Sequence, residues 1–358
     1  MMMKKAAVFI LAAAAAGLSA VEPHVDMKVQ KLDDGRTAYI RDVYLNNGKL
    51  ILKHTTEDGK VTKSKKWGEV FFGFDFGRVP RTNGGWSIWD FFRCYEYNKK
   101  VCNLVRERMP TLVSAGSIGG TAVVDMEFPS LEGGKLKIRM MQFPSHPEWV
   151  FMRVKSEDFS IWRLDFQAYP YQSDFPKDRE RRLRSEKGDA NVNRETVKFS
   201  DPTGHYLALY NKFVQDTAGN FLIIQPEKIK VVEVPKCNAG VEIRLYAQKG
   251  VSQFDFALGY FKDQPASDAV NRFFTENGDA IRKFMDGIDW NPKISTENFD
   301  KSFSEAKKLG IAGDKLEAIR KSYREAVEKK DTAAAAKAEK ELEQLKKTAA
   351  ASGLSDFM

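Results

Sequence analysis

Six residues between positions 78 and 90 combine the two chemistries that a sugar ring asks of a protein. Arg78, Arg81, Asn83, Trp86, Trp89 and Asp90 lie within the aromatic-rich, Gly- and Pro-broken stretch Phe71 to Tyr97. An indole face offers a flat apolar surface for axial C–H groups, while guanidinium, amide and carboxylate groups hydrogen-bond hydroxyls. Phe72, Phe74 and Phe76 alternate and are assigned to the core. The large side chains after them fall in a loop, where folding does not require them and where binding residues concentrate on a rigid scaffold. The other reading of the same loop is a plug that closes one end of the sheets.

A second constellation is Pro144-Ser145-His146-Pro147-Glu148-Trp149. Flanking prolines hold the backbone extended, which could present His146 and Glu148 together as an acid/base or ligand pair beside Trp149. It could equally be a stiffened turn entering the strand that follows. No zinc helix, phosphate-binding loop, nucleophile elbow or Cys-x-x-Cys pair is present, so catalytic residues stay unassigned and neither a metal nor a cofactor is implied. Gly116-Ser117-Ile118-Gly119-Gly120 reads as a turn leading into a strand. Asp75, Asp125, Glu127 and Asp165 sit at alternating strand positions, where carboxylate pairs arise in any large sheet.

The elements that must carry these residues are mostly strands. From about Thr37 to Phe261 the apolar period is two, as in Val124, Met126 and Phe128 against Asp125 and Glu127. Leu136, Ile138 and Met140 repeat it, as do Trp162, Leu164 and Phe166, then Val241, Ile243 and Leu245, and Phe254, Phe256 and Leu258. Turn dipeptides such as Asn47-Gly48 and Asp58-Gly59 separate the runs. On the order of a dozen strands with no helical crossover predict a large antiparallel β-sandwich. Asp174 to Asn193, polar and without alternation, is expected to be a long loop.

After Pro265 the pattern becomes helical. A helix over 265–290, capped by Ser267 or Asp268, carries Val270, Phe273, Phe274, Ile281, Phe284 and Met285 towards Trp290. The region 291–358 follows, with apolar stripes Leu316, Ile319, Tyr323, Val327 and Ala338, Leu342, Leu345 that predict an αα-hairpin. The expected class is therefore mainly β, with the sandwich over 21–264 and a C-terminal α-helical segment. The alanine-rich second helix of the hairpin buries little area, so it must dock on the β-domain or on a protein partner through 314–350.

Composition narrows the partners. Twenty-five Phe, eleven Tyr and six Trp allow a sizeable core. The net charge of +8 is spread among 57 basic and 49 acidic residues, which describes a solvated surface rather than a nucleic-acid site. Lys4 and Lys5, the apolar run Ala6 to Leu18 and small residues before Val21 make 1–20 a secretory signal. The run is too short to cross a hydrocarbon core of about 30 Å. The expected location is thus the periplasm or the cell exterior, with no membrane span. Three cysteines leave open one bridge, Cys94 to Cys102, or three buried thiols.

Over Thr37 to Phe261 the chain resembles the galactose-mutarotase-like supersandwich domains of bacterial sugar-acting proteins. The strand count, the Trp-rich segment Trp86 to Tyr97 and the ending Phe254-Asp-Phe-Ala-Leu-Gly-Tyr-Phe261 before a helix carry the resemblance. It implies carbohydrate recognition, and the two histidines and a glutamate used by active mutarotases have no match here. The leading expectation is an exported sandwich that binds carbohydrate through Arg78 to Tyr97. The alternatives are a lyase, hydrolase or epimerase in the same cleft, or an envelope assembly component acting through its helical hairpin.

Overall fold

The computed structural model describes residues 22–62, 70–77, 85–87, 89–98, 100–169, 180–200, 204–211, 219–237, 240–261, 267–291, 296–329 and 331–355. Residues 1–20, where a secretory signal is expected, lie outside the described residues, as do Arg78, Arg81 and Asn83. Among those described are 21 strands. They begin with β1 (Val25–Lys31), β2 (Thr37–Tyr44), β3 (Lys49–Glu57), β4 (Lys60–Val61), β5 (Phe71–Asp75), β6 (Gly85–Trp86), β7 (Phe92–Asn98) and β8 (Lys100–Asn103). After the single turn α1 (Leu104–Glu107) come β9 (Leu112–Ile118), β10 (Thr121–Pro129), β11 (Lys135–Gln142), β12 (Trp149–Glu157) and β13 (Ile161–Tyr169). The series continues through β14 (Arg181–Ser185), β15 (Gly188–Asn191), β16 (Val197–Phe199), β17 (Tyr206–Asn211) and β18 (Gly219–Ile223). It closes with β19 (Ile229–Val234), β20 (Val241–Ala247) and β21 (Gln253–Phe261), before α2 (Ser267–Asp286), α3 (Thr296–Lys308), α4 (Gly313–Lys329) and α5 (Thr332–Ser355).

The strands form three antiparallel sheets. The largest has nine strands in the order β15-β14-β17-β18-β21-β12-β11-β10-β9. A seven-stranded sheet runs β16-β19-β20-β13-β7-β8, with β6 paired to β13. The five strands β1 to β5 make the third. Inward residues of all three meet in one core, where Phe166 of β13 meets Phe256 of β21 edge to face at 4.9 Å. The alternation read from β10 and β11 is realised as pairs: Val124, Met126 and Phe128 are buried, while Asp125 lies opposite Arg139 and Glu127 opposite Lys137.

The two large sheets differ on their outer faces. The nine-stranded sheet is apolar there as well, and α2 lies across it through Val270, Phe274, Ile281 and Met285, on Phe151, Tyr206 and Phe221. Trp290 extends the cover: its ring lies under Arg153 and its carbonyl accepts from Arg139, two arginines that pair with Asp255 and Asp125. The helices α3, α4 and α5 have a separate core of Phe299, Phe303, Leu316, Ile319, Tyr323 and Leu342. The expected hairpin is α4 and α5, and α5 packs against β9, the edge of the nine-stranded sheet.

Two expectations change, and one left open is decided. The strand count exceeds a dozen in part because β4, β6, β8, β15 and β16, of two to four residues, are too short to show a period. The described part of the expected loop, 180–193, contains the hairpin β14–β15. Its inward positions are Arg181, Leu183 and Ser185, all buried, so polar inward residues hide the alternation. The thiols of Cys94, Cys102 and Cys237 are free. Burial pushes all three upward, Cys102 to about 11.

Candidate functional site

Six of the residues expected to bind a ligand are described: Trp86, Trp89, Asp90, His146, Glu148 and Trp149. Trp86 is 3 % exposed, donates its indole N–H to the Gly259 carbonyl at 3.1 Å and packs on Phe91 and Phe166. It is a core residue, as the plug reading of that loop has it. Trp89 is half-buried, edge-on to Phe71 at 4.8 Å. Asp90 pairs with Arg106 at 3.3 Å and Arg93 at 3.5 Å. Trp149 is buried beneath α2, its ring nearly parallel to those of Phe221 and Phe273 at 6.0 and 6.2 Å, and those two stack on each other at 4.7 Å. His146 lies in a turn closed by its own N–H to the Phe143 carbonyl, and its ring contacts Phe284 of α2 at 4.1 Å. Burial lowers its pKa, with Glu148, exposed beside it, acting the other way.

The outer face of the seven-stranded sheet gathers polar and aromatic groups instead. Two β-bulges shape it. The register of β13 against β7 steps from Ile161↔Glu96 to Arg163↔Tyr95, so Trp162 is an extra residue. The register of β19 against β20 steps from Ile229↔Ala247 to Val231↔Tyr246, so Lys230 is another. A bulge re-aims side chains and raises the local twist. Trp162, expected on the inward face with Leu164 and Phe166, is thereby turned outward beside Arg163. Inward spacing gives the reason: Ile161 and Leu164 are both buried and three apart, as are Ile229 and Val232. That break in the period of two was the sequence signal for the bulges.

Outward side chains form ordered rows. Tyr246, Arg163 and Tyr95 lie side by side on β20, β13 and β7. The Arg163 guanidinium sits 4.1 Å from the Tyr95 ring centroid, 5.2 Å from Trp162 and 5.6 Å from Tyr246. Trp162 in turn meets Tyr95, Tyr97 and Tyr246 at 6.3, 6.1 and 5.8 Å. One arginine thus holds three aromatic rings, Tyr95, Trp162 and Tyr246, and Tyr97 leans on Trp162. The next row is Glu233, Arg244, Asp165 and Arg93. Arg244 donates to Glu233 at 3.0 Å, Arg163 approaches Asp165 at 2.8 Å and Arg93 donates to Glu242 at 2.5 Å. Burial pushes the Asp165 carboxyl up to about 6, against the pull of Arg163 and Arg93. Burial acts on Glu242 in the same sense, but Arg93 and Arg244 hold it below the usual range.

Above the aromatic row opens a cleft of about 580 Å³, within the span of small-molecule sites. Tyr97, Trp162 and Tyr246 line it, with Ser160, Gln248, Glu233 and the lysines Lys198, Lys230 and Lys249. Tyr97 is 64 % exposed, and it is the last residue of the segment singled out in the sequence. Gly85 and Trp86 of β6 instead pair with Tyr169 and Ala168. That is the far end of β13 from Trp162, about 20 Å away at strand rise.

His205 lies between two carboxylates, its Nδ1 3.0 Å from Glu186 and its Nε2 3.5 Å from Asp279 of α2. It stands beside Gly278 of α2, on the nine-stranded side and away from the cleft. Among the described residues no group of three His, Cys, Asp or Glu side chains is placed to hold a metal ion. No helix among them is long and apolar enough to cross a membrane.

No family model matches the chain, and no curated protein does. Solved structures include a candidate aldose 1-epimerase from Klebsiella pneumoniae subsp. pneumoniae MGH 78578, 12% identical, with 72% of this chain and 88% of that one covered at a TM-score of 0.40. A candidate kojibiose phosphorylase from human microbiome is 11% identical over 80% of this chain and 40% of its own, at 0.35. The heparan sulfate lyase HepC from Pedobacter heparinus is 9% identical over 64% and 36%, at 0.31. The first is of the kind that the mutarotase-like resemblance names. Likenesses of this size assign no activity, and the site is read from its own geometry.

Proposed function

We propose that the protein is an exported carbohydrate-binding protein whose ligand lies in the cleft on the outer face of the seven-stranded sheet. The observation that carries this is the set of three rings, Tyr97, Trp162 and Tyr246, on the wall of a 580 Å³ cleft. Two of them owe their place to a bulge or a strand end rather than to the core. With Trp162 and Tyr246 held by Arg163 and Tyr97 against Trp162, the rings form a preorganised apolar floor, and the hydroxyl, amide and ammonium groups of the rim can satisfy sugar hydroxyls. Binding to fixed groups avoids the cost of ordering side chains at the moment of association. The basic, apolar start of the chain supports export.

The test is retention on a glycan panel of the parent, Tyr97→Ala, Trp162→Ala and Trp86→Ala. Loss of about tenfold or more in affinity is expected for the first two, with melting temperatures within a few degrees of the parent. Trp86→Ala should instead destabilise by roughly 3–5 kcal/mol, as a core truncation does. Unchanged binding in both Tyr97→Ala and Trp162→Ala would overturn the assignment of the cleft.

A further inference from the structure

Charge around the cleft is lopsided. Lys198 on β16, Lys230 in the β19 bulge and Lys249 in the turn after β20 all line it, against a single lining carboxylate, Glu233. That carboxylate is already matched: Arg244 donates to it at 3.0 Å and Lys198 lies 4.0 Å away. Lys230 and Lys249 are exposed and have no ion-pair partner among the described residues. An ammonium donates hydrogen bonds and accepts none. A neutral sugar, whose hydroxyls both give and take, would draw on acceptors as much as on donors, whereas a saccharide bearing carboxylate or sulfate is matched by unpaired ammonium groups at the rim. The second bulge matters here, because it adds Lys230 to β19 next to the Tyr246 row without displacing a core residue.

We propose that the cleft takes an anionic saccharide, with a ring against Trp162, Tyr97 and Tyr246 and its carboxylate or sulfate between Lys230 and Lys249. This rests on the carbohydrate reading above and adds the charge of the ligand to it.

The probes are uronate oligosaccharides and sulfated oligosaccharides, each beside its carboxyl-reduced or desulfated counterpart, titrated calorimetrically into the intact protein. Parent, Lys230→Gln/Lys249→Gln and Trp162→Ala proteins are compared at low and high salt. Expected are binding of one acidic series about tenfold or more tighter than its neutral counterpart, loss of that preference in the double lysine variant, and weakening by salt. Which series binds separates carboxylate from sulfate as the source of charge. Equal affinity for acidic and neutral forms, both lost in Trp162→Ala, would overturn the anionic assignment and leave the aromatic cleft standing. Acidic binding indifferent to Trp162→Ala would place the ligand on another basic surface and overturn both, as would no binding in either series.

Discussion

Asp165 and His54 are buried, ionisable and opposite in what burial does to them. Asp165 is 2 % exposed and pushed up to about 6, so between about pH 4 and 6 the folded chain keeps a proton that the unfolded chain has released. Stability contributed there falls as pH rises. His54 of β3, fully buried and within 3.1 Å of the Val105 carbonyl, is pushed down to about 4. The unfolded chain holds its proton up to about pH 6.5 while the folded one does not, so that contribution is present above 6.5 and lost as pH falls towards 4. The two slopes share a window and offset each other in the parent. Asp165→Asn should therefore expose the His54 slope, with stability rising relative to the parent by about 2 kcal/mol from pH 4.5 to 6.5. His54→Gln should leave the opposite slope. Urea denaturation at both pH values reads the difference, and parallel profiles in all three proteins would remove either group from the balance.

Among the elements, β21 depends on a residue with no side chain. Gly259 pairs with Trp149 on one side and Phe221 on the other, and a Cβ there would lie 2.7 Å from the Trp149 ring. The ring is wedged under α2 and cannot move aside, so Gly259→Ala should cost about 1–3 kcal/mol and lower the thermal midpoint; a variant as stable as the parent would show that α2 yields. The strands were the legible part of the sequence because a half-buried antiparallel sheet writes burial into every second residue. That rule also explains the misreadings. Trp162 was placed inward because it extends Leu164 and Phe166 by two, yet Ile161, the true inward neighbour, is three residues from Leu164. Trp86 and Trp149 read as binding residues because they are large aromatics in broken segments, but a segment's irregularity does not decide which way its side chains point. Both are core, Trp86 between the sheets and Trp149 beneath a helix whose position no local pattern encodes.

For the whole molecule, the asymmetry of the two large sheets decides where a ligand can go. One is roofed by α2 and Trp290, and no described helix covers the charged and aromatic rows of the other. The helical hairpin was foreseeable from its stripes, but its docking on β9 was not, since alanine-rich faces carry little directional information. Edge strands with unpaired backbone groups invite association. Truncation after Asn291 should therefore preserve glycan binding, because the cleft is on the other sheet, and produce concentration-dependent self-association in sedimentation velocity. A truncated chain that stays monomeric would mean that α5 does not shield that edge.

The bulge at Trp162 also bears on how such a protein can change by descent. Trp162 packs only on the outer face, against Tyr95, Tyr97 and Tyr246, so Ile161, Leu164 and Phe166 in the core can go on setting the fold while position 162 varies. Preference for a ligand and survival of the fold are then inherited through different residues of one strand. A lineage can exchange what it binds by single steps, each of which leaves a folded protein.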